Sequence, residues 1–281
     1  MRASQAAVLL ILPAVAACQS EAVMTTLDMT TWSVVAVDPL TGDVGVAMAS
    51  CVPETFGDAV GALVPGKGAA VTQAGFDLTN RNRVFEGLKD GLSAEEIIGR
   101  VTDPEADSAL DRRQYGVATI NGGRVEVAGY TAGRMEGETG EDGSRRWAGI
   151  RADASMGVTA QGNTLAGEPV VANALAAFRW EDPVGFNSLP DRLIRALEAG
   201  SIAGGDVRCN SDSVRQTAAT AMILVARGRD EPYATENIGV TDAGTDKAPW
   251  LAISVTVERF GENPLIELRR RYDEWRREQM L

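Results

Sequence analysis

The chain contains no histidine. Imidazole is the usual general base near neutral pH. Its absence excludes Ser-His-Asp and Cys-His catalysis within the chain, and His-built zinc sites with them. Lysine is almost missing too: Lys67, Lys89 and Lys247 are the whole complement, and none follows a serine by three residues, so the Ser-x-x-Lys signature is absent. Cationic charge is short overall. Asp and Glu number 39 against 27 for Lys and Arg, a net charge of −12 that repels phosphate backbones and argues against nucleic-acid partners. The glycine pairs at Gly122-Gly123 and Gly204-Gly205-Asp206 lack dinucleotide or Walker spacing, so no nucleotide site is read. No cofactor and no metal are expected. Chemistry here is left to carboxylates, hydroxyls, backbone amides, arginines or a free amine.

What is present suits one large domain. The chain has 281 residues, 44% of them apolar, too apolar for a disordered polymer. No repeat, proline-rich linker or low-complexity block divides it. Arg2 and the apolar run from Ala6 to Ala17 read as a signal peptide over residues 1–17, too short to span a bilayer as a stable helix. The run ends Val15-Ala16-Ala17-Cys18, which resembles a bacterial lipobox with Cys18 as the lipidated new N-terminus. The alternative is an ordinary signal peptide cut near the same small residues. Either way the expectation is export to the periplasm. With a lipid on Cys18, and Gln19 after it, the protein is anchored to the outer membrane, and the anchor is its only membrane contact. Residues 18–30 form a polar tether. Cys51 and Cys209 remain, an even pair that suggests a disulfide in an exported protein, with two buried thiols as the alternative.

From residue 31 onward the pattern is mixed. Trp32–Val37 and Val44–Ala49 read as a hairpin around Asp38-Pro39-Leu40-Thr41-Gly42-Asp43, and neither strand alternates, so both faces should be covered. Further strands are expected at Gly68–Ala74, Tyr115–Ile120, Val125–Tyr130, Met156–Gln161, Thr217–Ala226 and Leu251–Val257. Ser93-Ala94-Glu95-Glu96 is a capping box, with Leu92 and Ile97 as its hydrophobic staple. Val171, Leu175 and Phe178 form one helical stripe, and Leu189, Leu193 and Leu197 form another that stops at Gly200. Asn263 and Pro264 open a last amphipathic helix carrying Leu265, Leu268, Tyr272 and Trp275. Strands and helices come in adjacent pairs, which predicts a layered α+β domain over residues 31–281.

Several segments together resemble one family, the Ntn-hydrolase-like "domain of unknown function 1028" group. They are Thr31 through Ala47, Arg113-Gln-Tyr-Gly-Val117, Trp147-Ala-Gly149 and Gln161-Gly-Asn-Thr-Leu-Ala-Gly167, then Ala196-Leu-Glu-Ala-Gly200, Gly204-Gly-Asp206, and the tail Asn263-Pro-Leu with Tyr272-Asp-Glu-Trp275. The resemblance spans nearly the whole mature chain. It implies a four-layer αββα sandwich, two antiparallel sheets between helical layers. It also implies a chemistry, in which a residue opening the first strand attacks an amide and its own α-amine is the base. Such an amine titrates at about 7.7–8.0, so no histidine is needed.

Carried over residue by residue, the resemblance makes Thr31 the nucleophile candidate. Asn163, in a polar Gln-Gly-Asn turn, is the oxyanion-hole candidate, and Asp206 with Arg208 would orient the amine or clamp a substrate carboxylate. One departure stands out. Thr31 is not N-terminal after either signal cleavage, so the bond before it must be cut by the chain itself or by a protease, or the protein is catalytically silent. The expected function is an envelope amidohydrolase for a small amide, peptide-like or peptidoglycan-related bond. The alternative is an envelope binding protein on the same fold, and a paired-carboxylate glycosidase ranks last. Self-association is left open.

Overall fold

The strand that opens the domain shows why it does not alternate: every residue from Thr31 to Val37 is buried. The computed structural model describes residues 28–29, 31–52, 57–135, 146–211, 214–234, 249–258 and 261–279. Its strands, in chain order, are β1 (Asp28–Met29), β2 (Thr31–Val37), β3 (Val44–Ser50), β4 (Gly61–Val64), β5 (Gly68–Gly75), β6 (Arg113–Asn121) and β7 (Arg124–Thr131). Then come β8 (Trp147–Asp153), β9 (Val158–Leu165), β10 (Asn210–Ser211), β11 (Val214–Arg215), β12 (Thr220–Ala226) and β13 (Leu251–Thr256). The helices are α1 (Leu78–Asp90), α2 (Ala94–Val101), α3 (Pro169–Arg179), α4 (Leu189–Ile202) and α5 (Pro264–Gln279).

Two antiparallel sheets stack face to face. One runs β13-β12-β3-β2-β9-β8; the other runs β1-β5-β6-β7, with β4 added to β5. Trp32, Val34 and Ala36 point from β2 into the layer of α3, α4 and α5, where Leu193, Leu197 and Leu268 meet them. Val35 and Val37 point the other way, against Val71, Ala118 and Ile120 of the second sheet. α1 and α2 close that sheet's outer face with Val84, Leu88 and Ile97 on Tyr115 and Val117. The result is the expected αββα sandwich. Each fully buried Val or Leu is worth roughly 1.5–3 kcal/mol, which is why both faces of the middle strands must be apolar.

Local expectations fare unevenly. The Ser93 capping box is formed on both sides, Gly42 takes φ 77° in the β2–β3 turn, and Asn263 Oδ1 accepts from Leu265 N at 3.2 Å at the head of α5. Gly200 is no helix stop: α4 runs on to Ile202, and Gly200 faces the Trp32 indole, where a Cβ would lie 2.6 Å from Nε1. It is there for close packing. The strand expected from Met156 begins instead at Val158 and continues to Leu165, Met156 lying in a short 3-10 turn. The strand expected from Thr217 begins at Thr220. α1 carries no strong apolar stripe because it buries Asn80 and Arg81 beside Val84 and Leu88; its caps, Asp77 and the left-handed Gly91, mark it better. The proposed signal peptide, Cys18 and the tether up to residue 27 lie outside the described residues. Among the described residues, no helix is long and apolar enough to cross a membrane.

Candidate active site

Alternation along β2 decides what faces the second sheet. Since Trp32 and Val34 point to the helices, Thr31 and Ser33 share the inner face with Val35. The space between the sheets then divides in two. Beyond Val35 it is apolar; at the Thr31 end it is filled by side-chain amides, Gln73 of β5, Gln114 of β6, and Gln161 and Asn163 of β9, all buried.

These amides form one connected network. Ser33 Oγ donates to Gln73 Oε1 at 2.6 Å, and Gln161 Nε2 donates to Ser33 Oγ at 2.7 Å. Gln73 Nε2 donates to Gln114 Oε1 at 2.7 Å and to the Thr31 carbonyl at 3.4 Å. Asn163 Nδ2 donates to the same Gln114 Oε1 at 2.9 Å, while Gln114 Nε2 donates to Gly162 O at 2.8 Å and Thr131 Oγ1 at 2.9 Å. Gln161 Oε1 accepts no hydrogen bond among the described residues and lies against Gly116, where any Cβ would collide with it. None of these groups ionises, so the network orients but cannot itself take a proton.

Asn163 therefore stands in a different place from the one expected. Gln161-Gly162-Asn163 is not a turn but the middle of β9, paired to β2 through Trp32↔Gly162 and Ser33↔Gln161. The polar letters look like a turn; they are polar because the inner face of β9 meets other amides rather than apolar side chains. One N–H of the Asn163 amide goes to Gln114 and the other is a donor of the kind an oxyanion hole uses. Thr164, still within β9, takes φ 56° where the pairing with β8 shifts register between Trp147 and Gly149. Thr164 and Ala74 (φ 68°) are the described non-glycine residues with positive φ, and each directly follows a network residue, Asn163 and Gln73. Such backbone costs of order 1–3 kcal/mol apiece and collects at functional sites.

The other expected residues gather at this same end of the sandwich. Thr31 lies opposite Ser50, next to Cys51, and Cys51 is bonded to Cys209 with Cα atoms 5.6 Å apart. Asp206 is wholly buried and pairs with Leu165 at the end of β9. Its Oδ2 accepts from Cys51 N at 3.1 Å and from an Arg208 terminal nitrogen at 2.6 Å; Oδ1 accepts from Arg208 N and Nε, both at 3.0 Å. Burial pushes the Asp206 carboxyl above its ordinary range, opposed by the Arg208 charge and by these donors. The pair holds the disulfide to the ends of β3 and β9.

A second buried cluster supports β5 and β6 from outside. Arg113 donates to Asp107 at 2.7 and 3.1 Å and to Gly75 O, and Asn80 Nδ2 donates to Asp107 Oδ2 at 2.6 Å. Burial raises the Asp107 carboxyl, but the bonds from Arg113, Ala109 N and Asn80 outweigh it and hold the group below its ordinary value. Sequence reasoning missed this cluster, and missed Ser33, Gln73, Gln114 and Gln161. A signal existed. Each glutamine interrupts a strand buried along its length, and a polar residue there is more informative than any apolar one.

Fold and site together define a four-layer αββα protein with an uncharged amide cluster where its first long strand begins. The chain belongs to the family of unknown function DUF1028, whose model matches residues 31–268. The crystal structure of protein SPO2555 from Silicibacter pomeroyi, described as DUF1028, superposes with a TM-score of 0.61 at 22% identity, over 87% of this chain and 85% of that one. At that identity the likeness is one of fold. Among curated proteins none matches.

Proposed function

We propose that the protein is an N-terminal-nucleophile amidohydrolase of the cell envelope, with Thr31 as nucleophile and its own α-amine as base. The observation that carries this is the position of Thr31. It is buried, opens the strand at the centre of the six-stranded sheet, faces the space between the sheets, and has its carbonyl held by Gln73 in a network ending at Asn163. In a chain without histidine, an amine released at this point is the base best placed to take the Thr31 hydroxyl proton. The Asn163 amide is the donor for the oxyanion. The family model begins its match at Thr31, and the Cys51–Cys209 disulfide fits the exported, oxidising setting that the lipobox at Cys18 implies.

The physical requirement is strict, because a peptide nitrogen has no basic lone pair. Activity demands cleavage before Thr31, and cleavage would detach the domain from a lipid on Cys18. A catalytically silent binding protein is the second reading. What favours it is β1, which pairs Asp28 and Met29 with β5 immediately ahead of Thr31. The test is intact mass and N-terminal sequence of the mature protein, with a screen of small amides. An N-terminus at Thr31, and loss of both cleavage and hydrolysis in Thr31→Ala, are expected. Hydrolysis by uncut protein, undiminished in Thr31→Ala, would refute the mechanism.

A further inference from the structure

The chain reaches Thr31 by way of β1, and β1 is not part of the sheet that Thr31 opens. Asp28 and Met29 lie along β5 of the opposite sheet, Asp28 against Gly75 and Met29 against Ala74, while Thr31 pairs with Ser50 in the first sheet. β5 has one edge on β6. Its other edge is covered by β4 from Gly68 to Val71 and by β1 at Ala74 and Gly75. The same strand sends Gln73 to the carbonyl of Thr31. One strand thus holds both Thr31 and the residues on the acyl side of the bond before it.

We infer that this end of β5, held by Asp28–Met29 in the uncut chain, is the docking edge for an extended peptide substrate, whose acyl-side residues add antiparallel along Ala74 and Gly75. The inference rests on the reading of Thr31 as nucleophile for its chemical step, but the docking is a separate matter. The two amides would be presented alike. In each, Thr31 Oγ bonds to the acyl carbon as the C–N bond breaks, the leaving amine takes up the hydroxyl proton, and water then hydrolyses the ester and restores the hydroxyl. The acyl group of the substrate must therefore lie where the acyl group of the tether lay. β1 shows what that place accepts: main chain in strand conformation, recognised through backbone hydrogen bonds. Recognition of this kind selects an extended peptide over a compact amide and is tolerant of side chains. A two-residue strand is a weak clasp, yet while covalently attached it competes at an effective concentration of about millimolar, enough to keep the edge closed.

The test uses the full chain carrying Thr31→Ala, so that no cleavage removes the tether, with and without Asp28→Pro and Met29→Pro, which abolish strand pairing at β1. The probe is a fluorescent peptide copying residues 23–30, read by anisotropy. The proline form should bind it at least tenfold more tightly than the form with β1 intact. Methylation of the peptide nitrogen at the Asp28 or the Met29 position should cancel that gain for the one that faces β5. Equal binding by both proteins, or unchanged binding of both methylated peptides, would overturn the docking edge. Should the paired prolines shift the urea midpoint, Asp28→Pro alone and Met29→Pro alone replace them, and the same outcomes apply to the one whose nitrogen faces β5. Hydrolysis is scored separately with Thr31 restored. A peptide that docks but is never cut removes Thr31 as nucleophile and leaves the edge standing. Cleavage of small amides without peptide docking does the reverse.

Discussion

Gln114 is the hub of the amide network, and replacing it should cost more than its size suggests. Gln114→Leu keeps the volume and removes every polar atom. The Asn163 amide loses the acceptor at 2.9 Å, and Gln73 Nε2 keeps only the long 3.4 Å bond to Thr31 O. Gly162 O and Thr131 Oγ1 lose a donor. Each buried donor left without a partner costs about 1–3 kcal/mol, and the added apolar surface of leucine returns about 1–2 kcal/mol. The net expectation is a destabilisation of about 2–4 kcal/mol, and a melting temperature lower by roughly 5–15 °C for a domain of this size. Urea unfolding by linear extrapolation measures it, with an unchanged slope as the sign that the native state kept its form. Gln114→Glu is the informative partner. It retains the acceptor but sets an oxygen against Gly162 O, so the carboxyl must stay protonated and the loss should grow as pH rises from 5 to 8. A loss under about 1 kcal/mol for Gln114→Leu would mean the amides are not mutually dependent.

Two further outcomes follow from the same structure. Cys51 and Cys209 are separated by 158 residues, so the loop-entropy relation puts the cross-link at about 5 kcal/mol, and Cys51→Ala with Cys209→Ala should lower stability by roughly 3–5 kcal/mol in chemical denaturation. A change below about 1 kcal/mol would place the stability of this end in the Asp206–Arg208 pair alone. The Asp107 carboxyl is depressed in the folded state, so its contribution is complete above the unfolded value of about 4 and is lost as pH falls through the lower folded value. Asp107→Asn should accordingly be destabilised by roughly 3 kcal/mol at pH 7, leaving Arg113 with Asp77 at 3.4 Å, and should approach wild type as pH falls through the depressed folded value. Parallel stability curves from pH 7 to pH 2 would contradict the assignment.

Much of the architecture was already legible in the chain. Strands without alternation, Trp32–Val37 above all, announce cover on both faces, which here a second sheet supplies on one side and helices on the other. The Ser93 capping box and the Asn263-Pro264 start of α5 are local chemistry, readable wherever they stand because each is completed within four residues. The acyl-transfer scheme comes from the family resemblance of the segment that Thr31 opens, and the count of zero histidines is compatible with it. The gathering of Thr31, Asn163, Asp206 and Cys51 at one end of the sandwich was different. So was the service of Gln73, Gln114 and Gln161 to that same end: these belong to β5, β6 and β9, and their meeting depends on sheet order and register, which no local pattern encodes. For the same reason Gln161-Gly162-Asn163 passed for a turn and Gly200 for a stop. A polar strand facing polar partners, and a glycine facing an indole, are made sensible by what lies across from them. The chain determined which segments could be buried; the packing of one sheet on the other decided what they were buried against.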